Sequence, residues 1–232
     1  YDPVTNTWLQ RANYPGPGYF GNIAFSIGSK GYIGSGRGPG YTFPTSFYEF
    51  DPVLNAWTPK ANFIGLGRSQ APCFTVGSKG YVCGGDWYNG LTSTCYSYNP
   101  ATNSWSPIAS FPWEINEAAS FSINGKGFVA AGQCCFWNGS WTNALMEYDT
   151  ASNSWIQRAS MPTSGRTRTV GCSANGRGYV GTGLMSVYNS EGSTQINDWW
   201  EYTPWCIAPS TVIAASGSSN ICSGDSVMLF AA

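Results

Sequence analysis

The chain has 232 residues, 42% of them hydrophobic, 16% aromatic and only 10% charged, with a formal net charge of -1. That is ample apolar material for a sizeable core, and with no run of Lys or Arg there is no basic face to neutralise nucleic-acid phosphates. No stretch approaches the roughly 18 apolar residues of a membrane helix, no basic-then-apolar leader is present, and eight cysteines among few charges favour an oxidising compartment.

Residues 1–16 open with Tyr1-Asp2-Pro3 followed by Asn6 and Trp8. Aromatic, turn, aromatic describes a hairpin: proline presets φ, Asp and Asn close turns through their side chains, and the flanking rings suit paired strands. The phrase returns as Phe50-Asp51-Pro52 with Asn55 and Trp57, Tyr98-Asn99-Pro100 with Asn103 and Trp105, and Tyr148-Asp149-Thr150 with Asn153 and Trp155. In degraded form it is Tyr202-Thr203-Pro204 with Trp205, so that the tryptophans recur every 48 to 50 residues. Such a period is the mark of a repeat array, and residues 1–16 read as the outer strands of a blade that begins upstream.

Four complete repeats follow, about 17–62, 63–111, 112–161 and 162–209. Each opens with a small-residue apolar strand (Ile23–Ile27, Cys73–Val76, Ala119–Ile123, Val170–Ala174). A tight Gly-Ser-Lys-Gly or Asn-Gly-Lys/Arg-Gly turn leads into a glycine-rich second strand: Gly31–Gly36, Gly80–Gly85, Gly127–Gly132 and Gly178–Gly183. Glycine inside a strand marks a close approach by another backbone or a bulge, which the crowded axis of a radial array would require. Four short strands per repeat without any helical period specify an all-β chain, a β-propeller of four-stranded antiparallel blades: four complete repeats plus a partial blade.

The paired glycine, the spaced Tyr and Trp and the period resemble the kelch family from Tyr1 to about Pro209, although the pair is intact only at Gly84-Gly85. The resemblance implies a propeller of the kind at the centre of galactose oxidase, here non-catalytic, and is similar to secreted or surface multidomain bacterial proteins, with more repeats upstream. The tail 210–232 changes to a Ser/Ala-rich linker and resembles the start of an immunoglobulin-like or PKD-like domain, the alternative being a strand that closes the propeller.

One face of such a disc carries only short, near-identical turns. On the other, the loops between second and third strands diverge (Arg37–Thr45, Asp86–Thr94, Gln133–Asn143, Leu184–Asn197), and variable loops on a rigid scaffold are where recognition sits. They are rich in rings: Tyr41, Phe43, Trp87, Tyr88, Phe136, Trp137, Trp141 and Tyr188. The candidate ligand contacts are Trp87, Tyr88, Phe136, Trp137 and Trp141, either displayed for a protein or carbohydrate or folded back over their own loops. Exposure of at least two of Trp87, Trp137 and Trp141 in one groove would mark a sugar site. Counting back from the glycine of each second strand places Tyr19, Arg68, Ile115 and Arg166, then Gly21, Gln70, Glu117 and Arg168, at the channel mouth. Arg68, Arg166 and Arg168 with Glu117 either pair among themselves or hold an anion.

Histidine is absent, which removes imidazole bases, Ser-His-Asp triads and most transition-metal sites, including the copper site of oxidases on this scaffold. Glu114 and Glu117 fall on opposite sides of an extended segment, so they make no glycosidase pair. Cys73 lies nearly opposite Cys83 on a hairpin, and Cys206 with Cys222 would staple the tail, though eight cysteines leave 105 connectivities open. Asn138-Gly139-Ser140 matches a glycosylation sequon. The expectation is a non-catalytic, secreted or cell-surface module within a longer chain, with no cofactor, metal, nucleic-acid partner or membrane insertion. A structural spacer and a histidine-independent sugar enzyme are the alternatives.

Overall fold

The computed structural model describes residues 1–134, 140–186 and 193–204. The chain folds into separate antiparallel sheets that follow one another in sequence order, each packed face to face on the next. The first blade comprises Ile23–Ile27, Lys30–Gly34, Phe47–Asp51 and Ala56–Pro59. The second comprises Cys73–Val76, Lys79–Cys83, Cys95–Asn99 and Ser104–Ile108, and the third Ala119–Ile123, Lys126–Ala130, Leu145–Asp149 and Ser154–Arg158. In the fourth, Val170–Ala174, Arg177–Gly181 and Trp199–Tyr202 are described. Residues 1–16 contribute one bridge, Asp2 with Thr7.

Local chemistry fixes the turns. Asn124-Gly125 and Asn175-Gly176 hold positive φ at both central positions, which two-residue hairpins demand and this pair tolerates. At the outer hairpins the carboxylate of Asp51 accepts from the Val53 and Leu54 amides, and Asp149 accepts from that of Ala151. Asn55, Asn103 and Asn153 close the same hairpins in the left-handed region, at φ of 51, 48 and 49°.

Those asparagines also join the blades. The Oδ1 atoms of Asn55, Asn103 and Asn153 accept from the amides of Ala12, Ala61 and Ala109 in the preceding repeat, each at 2.9 Å. The tryptophan two residues on completes the grip, Trp57, Trp105 and Trp155 donating Nε1–H to the carbonyls of the same three alanines. Two polar atoms of an Asn-x-Trp triplet thus clasp both main-chain groups of one residue, and the indole fills the gap between sheets. Trp105 packs on Phe47 and Phe63, and Trp155 on Phe74 and Phe111.

One sequence expectation holds in part and another is corrected. A Cβ on Gly34, Gly84 or Gly183 would meet a backbone carbonyl, that of Ser46, Ile115 or Thr167, but the glycines that open the second strands of blades two to four make room for a ring: a Cβ on Gly80, Gly127 or Gly178 would run into Phe25, Phe74 or Phe121 of the blade before. The fifth hairpin phrase departs in its spacing. Gly178 pairs with Tyr202 as Gly127 does with Tyr148, so Trp205 follows its tyrosine by three residues where the other tryptophans follow by seven. Trp205, with the tail 210–232 and the expected Cys206–Cys222 staple, lies outside the described residues.

Candidate functional site: the loop face

The starts of the first and third strands and the ends of the second and fourth converge on one end of the sheets, and the long loops leave from there. A main-chain belt runs across it. The amide of Gln70 donates to the Gly21 carbonyl, Glu117 to Gln70, and Arg168 to Glu117, at 2.8, 3.0 and 2.9 Å. All four residues sit at positive φ, so each amide and carbonyl turns toward its neighbour blade. The sequence count therefore aligned the correct residues. Above the belt, the Glu117 carboxylate accepts from the Gln70 side-chain amide, from the Thr167 hydroxyl at 2.8 Å and from Arg168 Nε at 3.2 Å. Three consecutive blades thus meet on one buried acid, while the Arg168 side chain is 66% exposed.

The two arginines of the neighbouring ring lie beneath this surface. Arg68 and Arg166 are fully buried, so neither reaches a ligand on this face. Arg166 makes a bidentate pair with Asp198, at 2.6 and 2.8 Å, and its guanidinium holds that carboxyl below the usual carboxylate range. Arg68 has Thr94 at the position equivalent to Asp198. Its N–H groups go to the carbonyls of Leu66, Gly84 and Thr94 and to the Thr94 hydroxyl, and its plane lies against Phe63 and Tyr96. Desolvation without a carboxylate partner pulls its pKa down to about 10.

Arg68 thereby ties both feet of the loop 84–94, which a disulfide also closes. Cys83 is bonded to Cys95, directly opposite on the third strand, and not to Cys73 as the hairpin spacing suggested. The register sets Cys73 against Val82, and burial pushes its thiol up to about 12. Between the feet, Asp86-Trp87 pairs with Gly90-Leu91 as a miniature hairpin with Tyr88 at its tip. Leu91 is buried beneath it, Trp87 is half-buried, and Tyr88 is 73% exposed.

Of the other ring candidates, Trp141 is half-buried, bridged to Gln133, and Phe136 and Trp137 lie outside the described residues, as do Tyr188 and the sequon Asn138. Neither Trp87 nor Trp141 is an exposed indole. The exposed apolar side chains at this end of the first two blades are Phe20, Tyr41, Ile64, Leu66 and Tyr88, with Val170 and Trp199 at the same end of the fourth. Phe20, Ile64 and Leu66 were not singled out from the sequence, because nothing in one repeat distinguishes a displayed loop residue from a packed one. Amid them, Arg37 stacks on Phe20 and Tyr41 and stands 4.0 Å from Asp86. Desolvation raises the Asp86 pKa, and the Ser69 hydroxyl donates to it at 2.6 Å.

Residues 67–112 match the family model described as "Kelch motif". No curated protein matches. Among solved structures, the one described as "Structure of YjhT" aligns with a TM-score of 0.72 at 17% identity, over 88% of this chain and 71% of its own. At that identity the likeness establishes the fold. Among the described residues, no helix is long and apolar enough to cross a membrane.

Proposed function

We propose that this β-propeller, which carries a kelch motif over residues 67–112, works as a non-catalytic, extracellular protein-binding module through the loop face of its first and second blades. The observation that carries the reading is the loop 84–94, closed at its feet by Cys83–Cys95 and by Arg68, which presents exposed Tyr88 at the same end of the blades as exposed Tyr41, Ile64 and Leu66. Exposed rings on a preorganised loop lose little conformational entropy on binding, and aromatic and Arg anchors supply most interface energy. The disulfide supports an oxidising location, since such a bond persists outside the cytosol. The charges at the mouth support binding over catalysis. Glu117 is committed to Gln70, Thr167 and Arg168, and so is not held in reserve for proton transfer.

The test is to screen the intact chain in parallel against a displayed random-peptide library and a glycan array. Peptide binders weakened by Tyr88→Ala are the expected result. Binding to glycans alone would replace the protein ligand with a carbohydrate one, and silence on both would leave the spacer reading.

A further inference from the structure

Arg37 takes the loop-face reading a step further. Its guanidinium carbon lies 5.1 Å from the Phe20 ring centroid and 5.4 Å from that of Tyr41. The backbone sets this stacking: Arg37 and Phe20 exchange both main-chain hydrogen bonds, at 2.8 and 2.9 Å. The short 3-10 turn Pro39–Tyr41, left-handed at Gly40 and Tyr41, folds the second ring back over the arginine.

Unlike Arg68, Arg166 and Arg168, Arg37 has no side-chain donor engaged in a hydrogen bond among the described residues. Arg68 spends its N–H groups on carbonyls, Arg166 on Asp198 and Arg168 on Glu117. Among the described residues no atom accepts a hydrogen bond from the Arg37 side chain. Asp86 stops at 4.0 Å and already takes the Ser69 hydroxyl. Arg37 keeps 36% of its side chain exposed, against the exposed rings of Phe20 and Tyr41. A guanidinium held flat by rings, with its edge open, matches an oxyanion bidentately and has already lost much of its rotamer freedom.

We propose that Arg37 is the anchor for a carboxylate, the side chain of an Asp or Glu in a bound protein segment, with Tyr41 and Tyr88 taking that segment's apolar neighbours. This rests on the protein-binding reading of the same face. The charge balance selects a singly charged partner. One cation stands beside Asp86, with Glu117 close enough to raise the Asp86 pKa, so a phosphate dianion would meet more repulsion than a carboxylate.

The experiment takes peptides selected from a random library on the intact chain and measures their affinity by calorimetry. Wild type, Arg37→Lys, Arg37→Ala and Tyr88→Ala are compared after their thermal midpoints have been checked. Selected peptides should carry Asp or Glu next to an aromatic or aliphatic residue. Arg37→Lys should weaken them roughly 10-fold, because an ammonium has no planar fork. Replacing the peptide's acid by its amide should cost wild type a similar factor and cost Arg37→Lys little, the signature of a coupled pair. Peptides without an acidic residue, or indifferent to its amidation, would overturn the proposal. If those peptides still respond to Tyr88→Ala, the loop-face reading survives alone. Peptides indifferent to both positions, or no selected peptide at all, would overturn both. Should Arg37→Ala fail to fold, the amidated peptide on wild type decides.

Discussion

Gly127 and Gly31 occupy the same place in the third and first repeats, and in this chain, of the two, only Gly127 has a ring of a preceding blade against it. A Cβ on Gly127 would collide with the Phe74 ring, whereas one on Gly31 would meet nothing closer than the Phe50 Cβ at 3.8 Å. Overpacking of that kind costs about 1–3 kcal/mol. Gly127→Ala is therefore expected to lower the denaturant midpoint clearly, while Gly31→Ala leaves it unchanged or raises it slightly by narrowing the unfolded ensemble. Equal losses at both positions would refute the ring as the cause. The buried arginines offer a second contrast. Asp198→Ala strips Arg166 of two charge-assisted bonds and should cost about 2–3 kcal/mol. Thr94→Ala leaves Arg68 its three carbonyls and should cost about 1 kcal/mol.

Ion pairs set the acid limit, that of Arg166 with Asp198 and that of Lys126 with Asp149 in the third blade. Arg166 depresses the Asp198 pKa, and Lys126 draws that of Asp149 down to about 2. A carboxyl depressed in the folded state contributes stability that is complete above its ordinary pKa near ~3.9 and is lost as pH falls through the folded value. Unfolding free energy should therefore fall between about pH 4 and 2, and Asp198→Asn should flatten that limb. A variant that tracked wild type throughout would remove Asp198 from the account.

At the scale of the element, the hairpin phrase does two jobs. Asp closes its own turn, while Asn and Trp hold the neighbouring blade, a division that one repeat read alone does not reveal. Asn103 accepts from Ala61 and from the Tyr98 hydroxyl while held at a φ of 48°. Asn103→Gly keeps that backbone and deletes both bonds, for an expected loss of about 2 kcal/mol by equilibrium unfolding. A neutral result would make the clasp ornamental. Strands and turns were legible in the sequence because alternation, Asn-Gly pairs and glycine spacing are local. The disulfide was not. Cys83 and Cys95 face one another only because the loop 84–94 folds as a miniature hairpin, and its ends meet through tertiary packing. The fate of Arg68 and Arg166 was equally hidden, since the partners at Thr94 and Asp198 lie 26 and 32 residues away in loops of unequal length. Replacing both Cys83 and Cys95 by Ala should cost about 3 kcal/mol and weaken any ligand that depends on Tyr88; unchanged affinity would mean that the loop holds its shape without the bond.

Among the described residues, the main contacts between blades run from each to the next, and the same bonds recur at each junction. The second glycines donate outward, Gly36 to Arg68, Gly85 to Ile115 and Gly132 to Arg166, and the belt amides return the bond in the opposite sense. An array of this kind has stability close to a sum of blade and junction contributions, so a junction can be loosened while the blades remain folded. Glu117 is the place to test this, because one side chain serves two junctions at once, taking Gln70 from the blade before and Thr167 and Arg168 from the blade after. Glu117→Ala removes those side-chain bonds while the belt amides remain, and each belt bond then opens without its neighbour's support. Hydrogen exchange should speed up at the amides of Gln70, Glu117 and Arg168, which cross between blades, while Val129 and Met146, paired strand to strand inside the third blade, keep their protection. Uniform acceleration through the third blade would show that blades and junctions unfold together, and that the repeat is a unit of sequence without being a unit of stability.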